Sequence, residues 1–445
     1  MKKTCSVIAV LLCLILLLSA CGKEEAPNQT TAARGEQVLD VYYLTGDPAA
    51  AFIARGYRSG DSNLIINAEA FQSVEEMDLR ISTESGSGKG ADVVLFSGAT
   101  TLDTAKMAAN HAFLDLAPYL SADNTFDAAN YYCVLDAGKV GELQAMMPLR
   151  FQLQYFLTSE EKLAAGGILL KEGYSASELM NGLAFNASSC NEDQSAIQCL
   201  FRGTPGGILY DALRLTNVQI ADVSGKTLSV TEDTFREYAE YAQMAYGQFM
   251  KSAQILKLYS RDFVGGVSKL TTMLSRDSVP YQMRDYSAMF DQGLEERMRV
   301  LTLPNCGEPN ALTADVTLYA AALQSADQPQ AAYDFIRYAM DTGVGEVTND
   351  LPVSRKAVSV LLDELCANSG KSMNIGSMNV KIPAMSEELR GSCERILERI
   401  TSGNIRNSAI ASIIDESMQN YLMGNATFEE ACKMFQNRMN LYLYE

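Results

Sequence analysis

Between Val38 and Asn110 the chain alternates three times between a strand pattern and a helix pattern, and that alternation limits the fold more than any other feature. Val38–Leu44 (VLDVYYL) alternates enough for a strand. Thr45-Gly46-Asp47-Pro48 then makes a turn, with Asp47 placed to cap a helix that has Pro48 at its first position and runs to about Gly56. Leu64–Ile66 begins a second strand and Val74–Thr83 forms a second helix, followed by a loop over Ser85–Gly90 (SGSGKG). Asp92–Phe96 (DVVLF) is short and apolar, the kind of strand buried inside a parallel sheet, and a helix follows from about Leu102 to Asn110. This order predicts a doubly wound α/β sheet.

The rest of the chain reads as more helical. Phe235, Tyr238, Ala242, Ala245, Tyr246 and Phe249 recur at helical spacing and make one apolar face. Leu389, Cys393, Ile396, Leu397 and Ile400 form a second stripe, and Ile410, Ile413, Ile414, Met418 and Tyr421 a third. Thr427 with Glu430 reads as a capping box opening a last helix through Met434, Phe435 and Met439.

The first twenty residues have the layout of a secretory leader: Lys2 and Lys3, an apolar run from Val7 to Leu18, then small residues. The run is shorter than the roughly 20 residues a membrane-spanning helix needs. Leu18-Ser19-Ala20-Cys21 resembles a bacterial lipobox. That resemblance implies cleavage before Cys21, a lipid on its thiol and attachment to the outer face of a membrane; the plainer alternative is an ordinary leader with an incidental cysteine. Gly22–Gln37 has almost no large apolar residue and is expected to be a flexible tether.

Charge and cysteine usage exclude several classes of function. The formal charge of −18 becomes −20 once Lys2 and Lys3 are removed, which opposes binding to nucleic acid. The remaining length exceeds one ordinary core and suggests two domains. Cysteines 133, 190, 199, 306, 366, 393 and 432 are scattered and odd in number, so they read mostly as small buried hydrophobes; Cys190 and Cys199 are the one close pair that could form a disulfide. His111 is the single histidine, which removes most hydrolase triads and zinc sites. Gly86-Ser87-Gly88-Lys89-Gly90 lacks the spacer and the hydroxyl residue of a phosphate loop. Ser159-Glu160-Glu161-Lys162 has neither downstream partner of the penicillin-binding pattern, and Thr158 with Glu161 reads better as a capping box. No catalytic residue, metal or cofactor is predicted.

Taken in order, several segments resemble the extracellular solute-binding proteins of ABC importers, the group that includes maltose-binding and other sugar-binding lipoproteins. They are Gly90–Val94 with Phe113–Leu120, Gly141–Pro148, Phe156–Gly167, Leu301–Pro304, Gln330–Ile336, Leu351–Ala357, and Tyr421–Gly424 with Thr427–Ala431. The resemblance implies a type II two-lobed periplasmic-binding-protein-like fold, each lobe a mostly parallel sheet flanked by helices. In it, residues 38–147 with 300–350 form one lobe and 148–299 with 351–445 the other, joined by crossings near Met147, Val300 and Leu351. It also implies a monomeric receptor that captures a small solute, a sugar by first expectation, and delivers it to membrane permease subunits.

Ligands of open α/β sheets sit beyond the carboxyl ends of the strands. That rule nominates Thr45, Gly46 and Asp47 after the first strand, and Ser97, Gly98 and Thr100 after the third. Arg150 lies just past the first crossing with Tyr155 close behind, and Tyr281 and Arg284 lie before the second. Each has a competing reading as an ordinary loop or core residue. The chain has no tryptophan, the largest flat face for a sugar, but it has 21 tyrosines. A cationic or peptide-like ligand, a surface lipoprotein acting in interaction, and an enzyme acting on surface polymer stay open beside the sugar receptor.

Overall fold

The computed structural model describes residues 37–60, 63–85, 90–160, 173–180, 204–258, 273–275, 279–294, 297–343, 350–375 and 378–445. Cys21 with its leader and the tether as far as residue 36, the loop at 86–89, Glu161, and the Cys190 and Cys199 pair lie outside the described residues, whereas Gln37, read as the end of the tether, pairs with Leu64 as the first residue of a strand.

The opening alternation folds as β1 (Gln37–Leu44), α1 (Pro48–Gly56), β2 (Leu64–Phe71), α2 (Val74–Ser85), β3 (Val93–Ser97) and α3 (Thr104–Ala109). The second strand continues five residues past Ile66, because it pairs in parallel with β1 along its whole length. Each helix start has a local cause. Asp47 accepts a hydrogen bond from the Ala50 amide (2.9 Å) and Asp103 from the Lys106 amide (3.1 Å), each satisfying an otherwise orphaned helix donor. His111 ends α3 with a φ of 57° in the left-handed region and is exposed, a terminator rather than a ligand.

Further elements are β4 (Met147–Gln152), β5 (Tyr155–Ser159), α4 (Pro205–Leu215), α5 (Glu232–Leu258), β6 (Met273–Ser275), α6 (Val279–Met289), β7 (Met298–Thr302) and β8 (Glu308–Ala322). They are followed by α7 (Pro329–Asp341), β9 (Leu351–Pro352), α8 (Arg355–Ala367), α9 (Glu387–Leu397), β10 (Ile400–Ile405), α10 (Ser408–Leu422) and α11 (Phe428–Tyr444). The main sheet has the order β9-β4-β8-β3-β1-β2, with β10 and the short strand Pro304–Asn305 also pairing with β8. β1, β2 and β3 are parallel, whereas β8 runs antiparallel to both β3 and β4. Alternate residues of β1 feed two cores: Leu39, Val41 and Tyr43 face one, Tyr42 and Leu44 the other.

The chain leaves the main sheet after Gln152, and Tyr155 already belongs to a second sheet of order β6-β5-β7. A mostly parallel sheet is expected here, but both described pairings of β5 are antiparallel. The crossover β6–α6–β7 places two mutually parallel strands on opposite sides of one that runs the other way. Helices α4, α5, α10 and α11 build a separate apolar core. Phe235 and Phe435 stack at its centre, with ring centroids 4.3 Å apart and planes 12° off parallel. The Thr427 and Glu430 capping box is fully formed at the start of α11.

The cysteines correct one expectation. Cys393 and Cys432 are buried and Cys366 is half-buried, but Cys133 and Cys306 are exposed free thiols. Cys133 sits in a turn between the buried Tyr132 and Val134, and Cys306 in the turn beside Gly307 before β8. Thr158, read from sequence as a helix cap, lies within β5.

Candidate functional site

The carboxyl ends of β1 and β3 and the middle of β8 meet the end of β4, and this is where the polar residues collect. Thr45 closes β1 by donating from both its amide and its hydroxyl to the Phe71 carbonyl (2.9 and 3.0 Å), which ties it to the end of β2. Gly46 is exposed, and a Cβ there would meet no atom within 4 Å. Asp47, while capping α1, is half-buried. Its carboxyl pKa is raised, chiefly by burial and further by the Asp350 charge, against the opposing pull of the Ala50 amide and Arg150.

At the end of β3 the Ser97 hydroxyl accepts from the Ala99 amide (3.2 Å), and the Gly98 amide donates to the Thr317 carbonyl (2.8 Å). A Cβ on Gly98 would come within 3.2 Å of the Val316 carbonyl oxygen, so glycine lets this turn press against β8. Thr100 is turned away from the cluster: its hydroxyl donates to Asp78 (2.8 Å), which also holds the Thr101 amide and hydroxyl.

Arg150 is the centre of the arrangement. It lies on β4 opposite Leu318 of β8 and Pro352 of β9, with no exposed surface. Its Nη2 donates to the Thr342 carbonyl (2.8 Å), while Nε and Nη1 have no hydrogen-bond partner among the described residues. Burial pushes its pKa down to about 10, with Asp350 and Asp47 acting in the opposite direction. The guanidinium is therefore still charged at neutral pH, and it holds two donors in a place where an unmet donor costs about 1–3 kcal/mol. Two residues on, and so on the same strand face, Gln152 donates from Nε2 to Asp350 Oδ1 (2.5 Å). Asp350 Oδ2 accepts from the Thr317 hydroxyl (2.6 Å).

The structure thus groups Asp47 and Arg150 from the sequence prediction with Gln152, Thr317 and Asp350, which the prediction missed. Period-2 spacing from Arg150 could have found Gln152. Asp350 stands immediately before Leu351-Pro352, but nothing local marks Thr317. Ser97 and Gly98 are joined to the group through β8. Tyr155 is a wholly buried residue of β5 paired opposite Ser275 and Thr302 in the apolar core. Tyr281 and Arg284 make a local unit on α6. There the guanidinium lies 5.7 Å from the Tyr281 ring centroid and pairs with Asp285 (2.8 Å), and Gly370 packs closely on Arg284. No described contact links that unit to Arg150.

The loop after β3 is clasped to the helical core from the other side. The Tyr442 hydroxyl donates to Asp103 Oδ2 (2.7 Å) and Asn407 Nδ2 to Asp103 Oδ1 (3.2 Å). The Ser408 hydroxyl reaches the Thr101 carbonyl (2.9 Å), and the Lys106 ammonium lies 4.3 Å from the Tyr442 ring centroid. Among the described residues no group of histidine, cysteine and carboxylate side chains is placed to hold a metal.

No family model matches the chain, and no curated protein does. Solved structures do match along nearly its whole length. The sugar-binding protein MalE from Xanthomonas citri is 13% identical with a TM-score of 0.61, covering 92% of this chain and 98% of its own. An ABC substrate-binding protein from Listeria monocytogenes, in complex with cycloalternan, is 13% identical with a TM-score of 0.56, covering 92% and 99%. A sugar transporter protein from Rhizobium etli in an open conformation is 14% identical with a TM-score of 0.57, covering 92% and 99%. The fold is the two-lobed one of these binding proteins. In that frame the Arg150 cluster stands at the strand ends of the main sheet, and the Asp103 clasp ties the loop after β3 to the helical core.

Proposed function

We propose that the chain is the solute receptor of an ABC-type importer and that it captures a small carbohydrate at the Arg150 cluster. The observation that carries this reading is a fully buried arginine with two unpartnered donors beside the carboxylates of Asp47 and Asp350. A sugar hydroxyl donates and accepts at once, so it suits a site that mixes guanidinium donors with carboxylate acceptors. The sugar-binding structures that share the fold support the same choice, and tyrosines would supply the flat apolar faces in a chain without tryptophan.

The same reading includes attachment to the outer membrane face through lipidated Cys21, a tether to residue 36, and a monomeric receptor that meets its permease subunits when closed. It divides the lobes as 38–147 with 300–350 and 148–299 with 351–445, with a hinge between them. The alternative is a surface lipoprotein that keeps the fold and works by interaction; the complete burial of Arg150 favours it, because a guanidinium with no exposed surface is out of a ligand's reach. A thermal-shift screen against mono- and oligosaccharides, amino acids, short peptides and polyamines separates the two. A ligand at 100 times its Kd stabilises the fold by about 2.7 kcal/mol. A saturable shift with saccharides alone supports the receptor. A screen that stays silent after unfolding and refolding, which strips carried-over ligand, rejects it in favour of the surface role.

A further inference from the structure

Away from the Arg150 cluster, a groove of about 590 Å³ runs between β7 and α9. Four arginines line it, Arg297, Arg299, Arg395 and Arg399, against the carboxylates of Asp291 and Glu388. This is a local excess of positive charge in a chain whose net charge is −18. Arg297 and Arg299 are two apart at the start of β7, and Arg395 and Arg399 are four apart along and just past α9. All four line the same groove.

Carboxylates neutralise these arginines unevenly. Arg297 pairs with Glu388 and Arg299 with Glu160, but the carboxylates are 75% and 77% exposed, so these are weak surface pairs. Arg395 and Arg399 have no carboxylate partner among the described residues. Arg395 Nη2 donates to the Ser392 hydroxyl (2.9 Å). Arg399 is fixed by the Thr302 hydroxyl (3.0 Å) and the Asn310 and Pro309 carbonyls (both 3.1 Å). Those three neutral acceptors orient Arg399 without cancelling its charge, and its half-buried setting lowers its pKa by desolvation. Elsewhere Arg214, Arg236, Arg337, Arg355, Arg390 and Arg438 each meet at least one carboxylate.

We propose that this groove is a second binding site, taking a compact phosphate-bearing anion. Forked guanidinium donors match the oxygens of a tetrahedral oxyanion, and a water-exposed groove lets the ligand displace Glu388 and Glu160 at small cost. The same phosphate chemistry is offered by a free phosphate ester and by an anionic lipid headgroup.

The test compares the full chain with R297A/R395A, two exposed positions whose loss leaves the cores untouched. Calorimetric titration with inorganic pyrophosphate and with glycerol phosphate at constant ionic strength reads the free anion. Flotation with phosphatidylglycerol vesicles, with phosphatidylcholine as blank, reads the headgroup. The difference between parent and variant is the readout, since the apolar run Val7–Leu18 adds the same background to both. Affinity in the variant is expected to fall at least about tenfold, the loss from removing hydrogen bonds to a charged group. Such a loss with soluble anions alone assigns a free ester, and a loss with vesicles alone assigns a headgroup. Equal binding by parent and variant, or no saturable binding in either arm, overturns the proposal.

Discussion

Arg150 and Arg214 are both buried against β8, and their surroundings differ in one respect. Arg214 meets Asp315 with two donors (2.5 and 2.9 Å) and Asp211 with a third (2.8 Å). Burial alone would lower its pKa, but the two carboxylates outweigh it and the net shift is upward. Arg150 has one carbonyl acceptor and carboxylates only as nearby charges, and its net shift is downward. An arginine whose donors are all met holds the helical core to the sheet. One with donors to spare stands at the strand ends, where a ligand's oxygens could complete it. Burial is nearly equal in the two cases, and the difference between them lies in hydrogen-bond completeness.

The largest expected effect tests the satisfied side. Asp315→Ala leaves the buried Arg214 with Asp211 alone and two unmet donors, and should destabilise the chain by about 3 kcal/mol in denaturant unfolding. A loss under about 1 kcal/mol would remove the contrast. Arg150→Met should behave in the opposite way. Its stability should stay within about 1 kcal/mol of the parent, because unmet donors are removed. Its saccharide affinity should fall about 100-fold, the equivalent of one or two charged hydrogen bonds. If Arg150→Met unfolds the protein while binding survives in what remains folded, Arg150 is a structural residue.

A smaller effect is expected at the clasp. Tyr442→Phe removes the hydrogen bond to Asp103 and should cost about 1.5 kcal/mol, while widening the lobe separation seen by small-angle scattering. Unchanged scattering would confine Tyr442 to local packing. The smallest effect concerns pH. Asp123 is held down to about 2, first by the Thr125 hydroxyl, with the Thr125 amide, Tyr333 and Arg337 adding to it. The unfolded chain binds this proton more readily, so stability rises with pH through the window from about 2 to 3.8 and is lost on acidification. Screening limits the amount to about 1 kcal/mol. Asp123→Asn should flatten that part of the stability–pH curve. Asp47 has the opposite sign: its raised pKa favours the folded state at low pH, and the gain disappears as pH climbs through that value. Asp47→Asn should therefore relieve destabilisation above it, and a variant less stable than the parent at neutral pH would contradict the raised value.

Much of the frame was legible before any coordinates. The helix from Pro48 to Gly56, its Asp47 cap and the Thr427 capping box depend on bonds spanning three or four residues, and they appear as read. Period-3.6 stripes identified α5, α9 and α10, because each buries one face against a neighbour, although Ile400, read into the α9 stripe, opens β10 instead. The antiparallel β5 pairings escaped, since strand direction depends on which distant segments return beside it.

The site divides along the same line. Sequence alone determined that a turn and a capped helix follow β1, that a short apolar β3 ends near Ser97, and that an arginine stands two residues beyond Pro148; each follows from local periodicity and turn chemistry. Only the tertiary structure decided that Gln152 meets Asp350 across 198 residues of chain, and that Thr317 faces the same carboxylate. The register of β8 against β3 and β4 sets those encounters. A strand buried on both faces carries no local signal for its register, which is fixed only when all the strands pack together.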